Sequence, residues 1–393
     1  MNFLVQKLET PPQDNLPVEI VERKGRGHPD TICDNVAEEF SRGLSRFYLE
    51  HFGQILHHNV DKCVLIGGTS EPRFGGGEVT RPIEIILVGR AATEAQGTTV
   101  PIHAIAAEGT ASWVKRNFRF LDPEKHIRIK TAVRRGSADL ASLFGTEVPI
   151  ANDTSIGLGF APLSELERLV LSTEELLNSP ATKERFPALG EDIKVMGVRT
   201  KSTILITVAC AFVSRFTATL EEYLATKVKA LGLLQENAQK FTRRRTTFVL
   251  NAADNPEEKR AYLTVTGTSA ECGDDGQVGR GNRQNGLITP CRPMTMEASC
   301  GKNPLTHTGK LYSVVAGRIA EELVKDHGIE EAQVYLVSRI GSPLTEPQVL
   351  HVRSRARVTL QALRSLARKV ARKHLSEITE LWRDFLAEEV RLV

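Results

Sequence analysis

The chain carries apolar side chains at two spacings, which predict both helices and strands. In Asp34–Glu50 the apolar positions recur every three or four residues, which is typical of an amphipathic helix; they are Val36, Phe40, Leu44 and Phe47. We expect Asp30 or Thr31 to cap this helix, because a short oxygen-bearing side chain accepts from the unpaired amides at a helix start. Gly53 follows the pattern and is expected to end the helix.

Similar patterns recur along the rest of the sequence. Runs rich in β-branched residues predict strands at Lys62–Ile66, Pro82–Val88, His126–Ala132, Thr203–Val213, Tyr262–Gly267 and Gln333–Ser338. Helical spacing predicts helices at Gly109–Asn117, Pro162–Asn178, Thr217–Leu234, Thr308–His327 and, as two or more helices, within Thr345–Leu386. The blocks lack the regular alternation of a doubly wound sheet, so we predict an α+β fold with several layers.

Length and composition indicate a globular protein with several structural units. A chain of 393 residues exceeds what one hydrophobic core supports. Because no apolar run approaches the roughly 20 residues that cross a bilayer and the start of the chain lacks the features of a secretory signal, we expect a cytoplasmic protein. The net charge of +3 is too small to indicate nucleic acid binding, and the six scattered cysteines match neither a zinc site nor a disulfide framework.

The segment ERKGRGHPDTICDN, residues 22–35, joins cations and glycines to a predicted helix start. Such a start offers free amides and partial positive charge to an anion. His28 can donate to a phosphate or to a developing oxyanion, and Asp30 is a hard oxygen ligand suited to Mg²⁺. The alternative is a basic surface loop in which Asp30 only caps the helix.

A second segment, TSAECGDDGQVGRGNRQNG at residues 268–286, combines adjacent carboxylates, arginines and five glycines. The chain has no Walker A sequence, and an EF-hand counted from Asp274 would need Glu where Asn285 stands. The loop can offer carboxylates to an ammonium group and Arg280 to a phosphate. A purely structural loop is the alternative.

Four weaker candidates lie elsewhere in the sequence. Lys302 follows a glycine and is a suitable point charge for a phosphate. Lys194 and Lys201 flank the entry to a strand, where lysines are more often solvated. Asp153 precedes a glycine pair and has a turn-forming alternative, and residues 134–140 are on their own more typical of a basic surface turn.

No segment supplies a convincing covalent nucleophile, since G-x-S-x-G is absent and no cysteine has an obvious partner histidine. Many Lys and Arg donors beside a metal-binding aspartate are what polyphosphate chemistry requires, because positioning and charge neutralisation do most of the work. The residues alone therefore predict a magnesium-nucleotide enzyme.

Several long blocks of the sequence resemble one family, the S-adenosylmethionine synthetases, and in particular their archaeal-type branch. The similar blocks are VERKGRGHPDTICDNVAEEFSRGLSRFY, HHNVDKCVLIGG, FGGGEVTRPI, NDTSIGLGFAPLSELE, GTSAECGDDGQVGRGNRQNGLITPCRPMTMEASCGKNP and THTGKLYSVVAGRIAEEL. They span about residues 20 to 320. The likeness to the bacterial and eukaryotic branch is confined to short motifs.

The resemblance implies catalytic roles around the GHPD motif. His28 would lie beside the bond-forming region and stabilise the leaving triphosphate, and Asp30 would bind Mg²⁺. Lys194 looks like the triphosphate-contacting lysine of the family's D-x-K segment, with Lys201 as a second candidate.

Roles in substrate binding are implied for the other motifs. Arg280 and Lys302 resemble phosphate-contacting residues, Asp274 resembles a methionine contact, and Asp153 resembles the aspartate of a loop that helps to hold the substrates. The basic turn lies where a pocket-lining loop is expected, with Gly136, Ser137, Ala138, Asp139, Leu140 and Ala141.

The implied reaction is a displacement at carbon. The thioether sulfur of L-methionine attacks C5′ of ATP, and the triphosphate leaves intact before it is cleaved to pyrophosphate and phosphate. The sulfur needs no deprotonation, which explains the lack of an evident general base. The implied cofactor is Mg²⁺, with K⁺ as a further candidate, and the implied assembly is a homodimer with shared active sites and with neither a nucleic acid nor a membrane partner.

The family's fold implies three similar sheet-plus-helix units around a pseudo-threefold axis, with interleaved chain segments. The expected units are an N-terminal one of residues 1–14 with 165–268, a central one of 15–140 with 298–308, and a C-terminal one of 141–164 with 269–297 and 309–393.

Some points stay open. The sequence LTHTGK stands where the other branch has a second metal-binding aspartate, and Glu71 and Glu78 are only the nearest candidates for its methionine-binding glutamate. Another Mg-ATP phosphotransferase is an alternative function. RNA binding by a basic helix within His351–His374 is a second, although the apolar spacing there also fits a helix packed on a core.

Overall fold

A computed structural model describes residues 2–136 and 149–393. The strands in these ranges are β1 Asn2–Lys7, β2 Val18–Lys24, β3 His58–Ile66, β4 Thr69–Arg73, β5 Gly76–Arg81, β6 Ile83–Ala91, β7 Glu94–Ala95, β8 Thr98–Thr99, β9 Ile127–Arg135, β10 Ile156–Ala161, β11 Leu189–Thr200, β12 Thr203–Val213, β13 Arg245–Leu250, β14 Leu263–Thr264, β15 Gly276–Gln277, β16 Glu331–Val337 and β17 Val349–Arg355. The helices there are α1 Pro29–Phe52, α2 Ile102–Asn117, α3 Pro123–His126, α4 Glu165–Leu177, α5 Pro180–Arg185, α6 Leu220–Ala238, α7 Thr308–Lys325, α8 Leu360–Ser376 and α9 Leu381–Leu386. None of these helices is long and apolar enough to cross a membrane.

Three sheets of four or five strands organise the described chain, and each is covered by helices. The sheet β1-β17-β16-β10 carries α7 and α8, the sheet β13-β12-β11-β2 carries α4 and α6, and the sheet β15-β3-β6-β9 carries α1 and α2. One apolar core joins the first and third sheets, and a second core lies in the sheet of β11 and β12. This arrangement of mixed sheets with helices agrees with the predicted α+β class.

The N-terminal strand lies apart from the segment with which the predicted units group it. β1 pairs in parallel with β17, whereas β2 pairs with β11. Residues 1–14 were expected beside 165–268, but their strand belongs to the sheet of the C-terminal segment. The chain crosses between sheets before it reaches α1.

His28, and neither Asp30 nor Thr31, caps α1. The Nδ1 atom of His28 accepts from the amide of Asp30 at 3.1 Å. Pro29 occupies the first helical position, where its fixed φ suits a helix and its missing N–H has no partner to lose. The predicted end is confirmed, because Gly53 is left-handed with φ of 69°. The helix thus begins within the GHPD motif and not after it.

The prediction of only helices within Thr345–Leu386 is wrong, because Val349–Arg355 is strand β17. Its buried side chains alternate with partly exposed ones, and Leu350 and Val352 face the core. Basic residues between the apolar ones hid this period of two. The basic stretch His351–His374 is thus divided between β17 and α8.

A buried arginine joins two of the sheet-and-helix layers. Arg292 donates to both carboxylate oxygens of Glu167 on α4 at 2.9 and 3.0 Å, and to Glu331 on β16 at 3.0 Å. The Arg292 and Glu167 side chains are almost fully buried. Loss of the guanidinium would leave the buried Glu167 without its cation, and would leave Glu331 with only the longer contact to Arg355 at 3.6 Å.

We therefore expect Arg292→Met to lower the free energy of unfolding by about 3–5 kcal/mol. Urea denaturation followed by circular dichroism measures the change. The matched control is Arg383→Met, which removes the exposed Arg383–Glu380 pair and should cost less than about 1 kcal/mol. Equal effects of the two substitutions would contradict the structural role given to Arg292.

Candidate active site at the start of the first long helix

The GHPD motif forms a tight loop between β2 and α1, pressed against β11. The amide of Gly27 donates to the carbonyl of Glu191 at 3.0 Å. A side chain at Gly27 would overlap the backbone of Asp192, so the close approach requires glycine. The contact holds His28 beside β11.

His28 is a neutral hydrogen-bond donor in this loop. Because Nδ1 accepts from the amide of Asp30, the proton of the neutral ring lies on Nε2. Burial lowers the pKa of His28 to about 4; Asp30 opposes this shift, while Lys24 and Lys194 add to it. At neutral pH the ring therefore offers Nε2–H without carrying a charge.

Asp30 is an ionised carboxylate held by a cation and an amide. Its Oδ2 accepts from Nζ of Lys24 at 2.8 Å, and its Oδ1 from the amide of Gln277 at 2.9 Å. Burial raises the pKa of Asp30, but the hydrogen bonds from Lys24 and Gln277 outweigh burial, so the pKa lies below its ordinary value. Nζ of Lys24 also donates to the carbonyl of Arg280 at 2.7 Å. Oδ2 of Asp30 and the carbonyl oxygen of Arg280 thus both accept from the ammonium group of Lys24.

The glycine-rich segment 268–286 is tied to the start of α1. Asp34 accepts from the amide of Gly279 at 2.8 Å. Asn282 exchanges two hydrogen bonds with the backbone of Lys24, at 2.9 and 2.7 Å. These contacts bring Arg280, whose side chain is exposed, to the GHPD loop.

Lys194 and Asp274 both lie near the buried Asp192. Nζ of Lys194, on β11, is 3.3 Å from Oε1 of Glu22. Asp192, two residues earlier on the strand, accepts from the amide of Ser269 at 2.9 Å. Burial raises the pKa of Asp192 to about 6, and the charge of the exposed Asp274 adds to this shift. We call the five predicted residues gathered here, His28, Asp30, Lys194, Asp274 and Arg280, the loop group.

Lys302 lies in a different place. Its Nζ donates to Oδ1 of Asp61 at 2.9 Å and to the carbonyl of Val60 at 3.2 Å. Its own carbonyl accepts from the hydroxyl of Ser41 on α1 at 3.1 Å. Ser41 follows Asp30 by roughly 16 Å along the helix axis, at about 1.5 Å per residue. Within this chain Lys302 is therefore remote from the loop group.

Asp153 and Gly136 lie nearer to Lys302. The carbonyl of Asp153 accepts from the hydroxyl of Thr308 at 3.2 Å, at the start of α7, six residues after Lys302. A Cβ at Gly136 would touch the ring of His57, close to Asp61. We call Lys302, Asp153 and Gly136 the distal group. The other predicted pocket residues, Ser137, Ala138, Asp139, Leu140 and Ala141, lie outside the described residues.

The oxygen atoms at this site can be compared with the ligands that Mg²⁺ usually has in proteins. In residues 2–136 and 149–393, no three His, Cys, Asp or Glu side chains cluster as metal ligands. Magnesium, however, is usually held by one or two carboxylates together with substrate phosphates and waters. Asp30 is ionised, and its Oδ2 converges with the Arg280 carbonyl on a cationic group. The residues present thus fit an ion of this kind.

The sequence matches the family model of S-adenosylmethionine synthetase (AdoMet synthetase) over residues 1–389. The chain belongs to this family. It is 52% identical over 394 residues to the probable S-adenosylmethionine synthase of Aquifex aeolicus, covering 99% of this chain and 98% of that one. It is 53% identical over 361 residues to the S-adenosylmethionine synthase of Aeropyrum pernix, with 90% and 89% covered. The resemblance inferred from the motifs is confirmed.

Solved structures show the same fold. An unusual S-adenosylmethionine synthetase from Campylobacter jejuni matches with a TM-score of 0.65 over 95% of this chain and 94% of that one, at 14% identity. As a member of the S-adenosylmethionine synthetase family, the chain is a methionine adenosyltransferase that makes S-adenosylmethionine from ATP and L-methionine. This activity replaces the phosphotransferase alternative.

The sequence left open whether Lys194 or Lys201 contacts the triphosphate, and the structure places the two lysines far apart. Lys194 lies in the loop group, whereas Lys201 lies in the turn between β11 and β12, where its amide donates to the carbonyl of Pro17 at 2.9 Å. Seven residues of extended strand span roughly 23 Å. Lys201 is therefore far from His28.

Three side chains that position the loop group were missed from the sequence. They are Asp34, Asp192 and Asn282, whose partners lie 245, 77 and 258 residues away. One local signal was available. Asp34 stands one helical turn after Asp30, so both carboxylates lie on the same face of α1.

The two glutamate candidates for methionine binding face each other across the β4–β5 hairpin. Glu71 and Glu78 are register partners, and both are exposed. The hydroxyl of Ser70 lies 3.1 Å from Sγ of Cys272, so the hairpin borders the glycine-rich segment near Asp274. The assignment of Glu71 or Glu78 to methionine binding stays a prediction.

Proposed function

We propose that the loop group stabilises the triphosphate as the sulfur of L-methionine displaces it from C5′ of ATP. The observation that carries the proposal is the convergence of an uncharged Nε2–H donor, His28, with Lys194 and Arg280 at the start of α1. Negative charge grows on the leaving oxygen during the displacement. Donors already fixed in place stabilise that charge without reorganising.

The remaining residues of the loop group orient the reactants in this proposal. Lys194 and Arg280 contact the triphosphate, and Asp274 accepts from the ammonium group of methionine. Effective alignment of sulfur and C5′ supplies much of the acceleration, because the attack needs no proton transfer. A water molecule then hydrolyses the triphosphate to pyrophosphate and phosphate before release.

Asp30 is the residue that would hold Mg²⁺. When bound, the ion supplies positive charge to the triphosphate oxygens. The ionised state of Asp30 and the hydrogen bond from Gln277 keep the carboxylate oriented for this role. Nζ of Lys24 pairs with the same carboxylate at 2.8 Å. K⁺ stays a further predicted cofactor.

We propose that each active site is shared between the two subunits of a homodimer. The predicted site residues form two groups within one chain, and these are separated by roughly 16 Å along α1. A site that uses both groups is completed if the distal group of one subunit meets the loop group of the other. The division of the residues supports this assembly.

Mixed dimers test the shared site. We expect homodimers of His28→Ala and of Lys302→Ala to have little activity, because each lesion affects both sites. In a heterodimer of the two variants, one shared site carries both lesions and the other carries none. Purified heterodimers, isolated with two different affinity tags, should regain about half of the wild-type kcat.

The control is a heterodimer of wild type and a double variant, His28→Ala with Lys302→Ala. Under the shared-site proposal each of its sites carries one lesion, so it should stay nearly inactive. Sites contained in single chains would give the opposite results for the two heterodimers.

We propose that the three sheets mark three units related by a pseudo-threefold axis, with interleaved segments. Each sheet has four or five strands and two long helices, which supports three similar units. The boundaries follow the sheets better when residues 2–7 join the C-terminal unit and residues 18–24 join the N-terminal unit. The cytoplasm stays the expected location.

A further inference from the structure

A buried ion pair joins α1 to the first turn of α7. Nζ of Lys310 donates to Oε1 and Oε2 of Glu38 at 2.6 and 2.8 Å. The side chain of Lys310 is 0% exposed and that of Glu38 is 4% exposed. Both charges have lost their hydration, and the attraction within such a pair often does no more than offset that loss. Stability alone therefore explains the pair poorly.

Each partner of the pair makes a further hydrogen bond to the backbone of GKNP, residues 301–304. Nζ of Lys310 donates to the carbonyl of Lys302 at 3.0 Å. Oε2 of Glu38 accepts from the amide of Gly301 at 2.9 Å. Hydrogen bonds to charged groups are stronger than those between neutral groups. The two charges thus hold two successive residues of the segment that carries Lys302.

The backbone of Lys302 is held in the interior while its ammonium group lies beside an exposed carboxylate. Gly301 has a φ of 82°, and a Cβ there would come within 3.0 Å of Val60 on β3, so the close approach favours glycine. The carbonyl of Lys302 accepts a second hydrogen bond, from the hydroxyl of Ser41 on α1. Nζ of Lys302 then reaches Asp61, whose side chain is 49% exposed. The hold on the backbone therefore sets where this ammonium group lies.

The first turn of α7 holds a second member of the distal group. The hydroxyl of Thr308 donates to the carbonyl of Asp153 at 3.2 Å, and Lys310 follows two residues later. The amide of Lys310 donates to Nδ1 of the capping residue His307 at 3.3 Å. One helix start thus fixes Lys302 and Asp153 relative to each other.

We infer that Lys310, together with Glu38, is a positioning residue for the synthesis of S-adenosylmethionine and acts through Lys302. The pair sets the place of the Lys302 ammonium group and so its contact with the phosphates of ATP. This inference rests on the proposed function, because it takes Lys302 to be a phosphate contact of the shared site. The Lys310 ammonium group itself is enclosed by Glu38, the Lys302 carbonyl and the ring of Phe385.

A double-mutant cycle between Lys310→Met and Lys302→Ala tests the inference. Methionine removes the charge of Lys310 and keeps an unbranched side chain. We expect Lys310→Met to lower kcat/KM for ATP at least about tenfold and to change KM for L-methionine less than about twofold. In the Lys302→Ala background, the same substitution should lower kcat/KM for ATP less than about twofold, because the group through which it acts is gone. Radiolabelled L-methionine measures the low residual rates.

The matched control is Arg199→Met, which removes the cation of another buried ion pair. Arg199 lies 3.1 Å from Glu19, with side chains 1% and 0% exposed, near the β11–β12 turn and outside both groups. Arg199→Met and Lys310→Met should both lower the midpoint of urea unfolding. The effect of Arg199→Met on kcat/KM, however, should be the same with and without Lys302→Ala. The comparison separates a loss of stability from a loss of position.

Glu38→Gln carries the test if Lys310→Met does not fold. It keeps the shape of the side chain and an acceptor for the amide of Gly301, but it removes the charge that faces Lys310. We expect it to lower kcat/KM for ATP at least about fivefold in the wild type and less than about twofold in Lys302→Ala. Circular dichroism shows which variants are folded.

Two kinds of failure can be told apart. If Lys302→Ala impairs the enzyme but the factors for Lys310→Met and Glu38→Gln are equal in both backgrounds, the positioning role is refuted and the proposed function stands. Wild-type kcat/KM in both Lys310→Met and Glu38→Gln, or an equal loss for ATP and L-methionine, refutes the same role. Wild-type activity of Lys302→Ala would instead refute the phosphate contact in the proposed function, and the inference with it.

Discussion

Replacing His28 with Ala is expected to lower kcat about a hundredfold to a thousandfold, with a much smaller change in KM for ATP and methionine. The lost Nε2–H donor acts on charge that develops only as the triphosphate leaves, so its removal affects the transition state more than the bound substrates. Initial rates of S-adenosylmethionine formation at varied substrate concentrations measure the two parameters.

His28 also caps α1, so the effect on catalysis must be separated from one on folding. His28→Asn is the matched variant, because an asparagine oxygen can accept from the amide of Asp30 and Asn is among the best capping residues. It should restore stability but not the loss in kcat. A change confined to KM in His28→Ala, or full activity in His28→Asn, would contradict the role given to the ring.

Replacing Asp30 with Asn should lower kcat about a hundredfold and raise the Mg²⁺ concentration needed for half-maximal rate. The amide keeps an acceptor for Gln277 but cannot neutralise Lys24 or ligate the ion as a carboxylate does. We expect Asp30→Ala to lose at least as much in kcat, again more than in KM. Rates measured across a magnesium titration give both quantities.

The control for this change is Asp326→Asn, at the end of α7. It removes one carboxylate outside both groups and should leave kcat and the magnesium requirement unchanged. If Asp30→Asn retained a wild-type magnesium profile, Asp30 would not be the ligand proposed here.

The position of the GHPD loop could be predicted from sequence because its chemistry is local. Glycines, a proline and an aspartate at a helix start have direct conformational consequences, and Gly53 ended α1 as expected. The capping residue was misassigned because Pro29 permits a start that the apolar spacing alone does not mark.

The contacts that assemble the site depend on long-range pairing and could not be read from one sequence. Asp192 and Asn282 act on segments far along the chain. The choice between Lys194 and Lys201 depends on where the β11–β12 turn falls. Strand β17 was missed since basic side chains occupy most of the partly exposed positions that alternate with its buried ones.

The most direct measurement is the product balance of the purified protein with ATP, L-methionine and Mg²⁺. We predict one S-adenosylmethionine, one pyrophosphate and one phosphate per turnover, with all three dependent on methionine and all three suppressed together in His28→Ala. Formation of ADP or AMP without methionine, or the absence of methionine-dependent pyrophosphate, would contradict the displacement at C5′ and the role of the loop group.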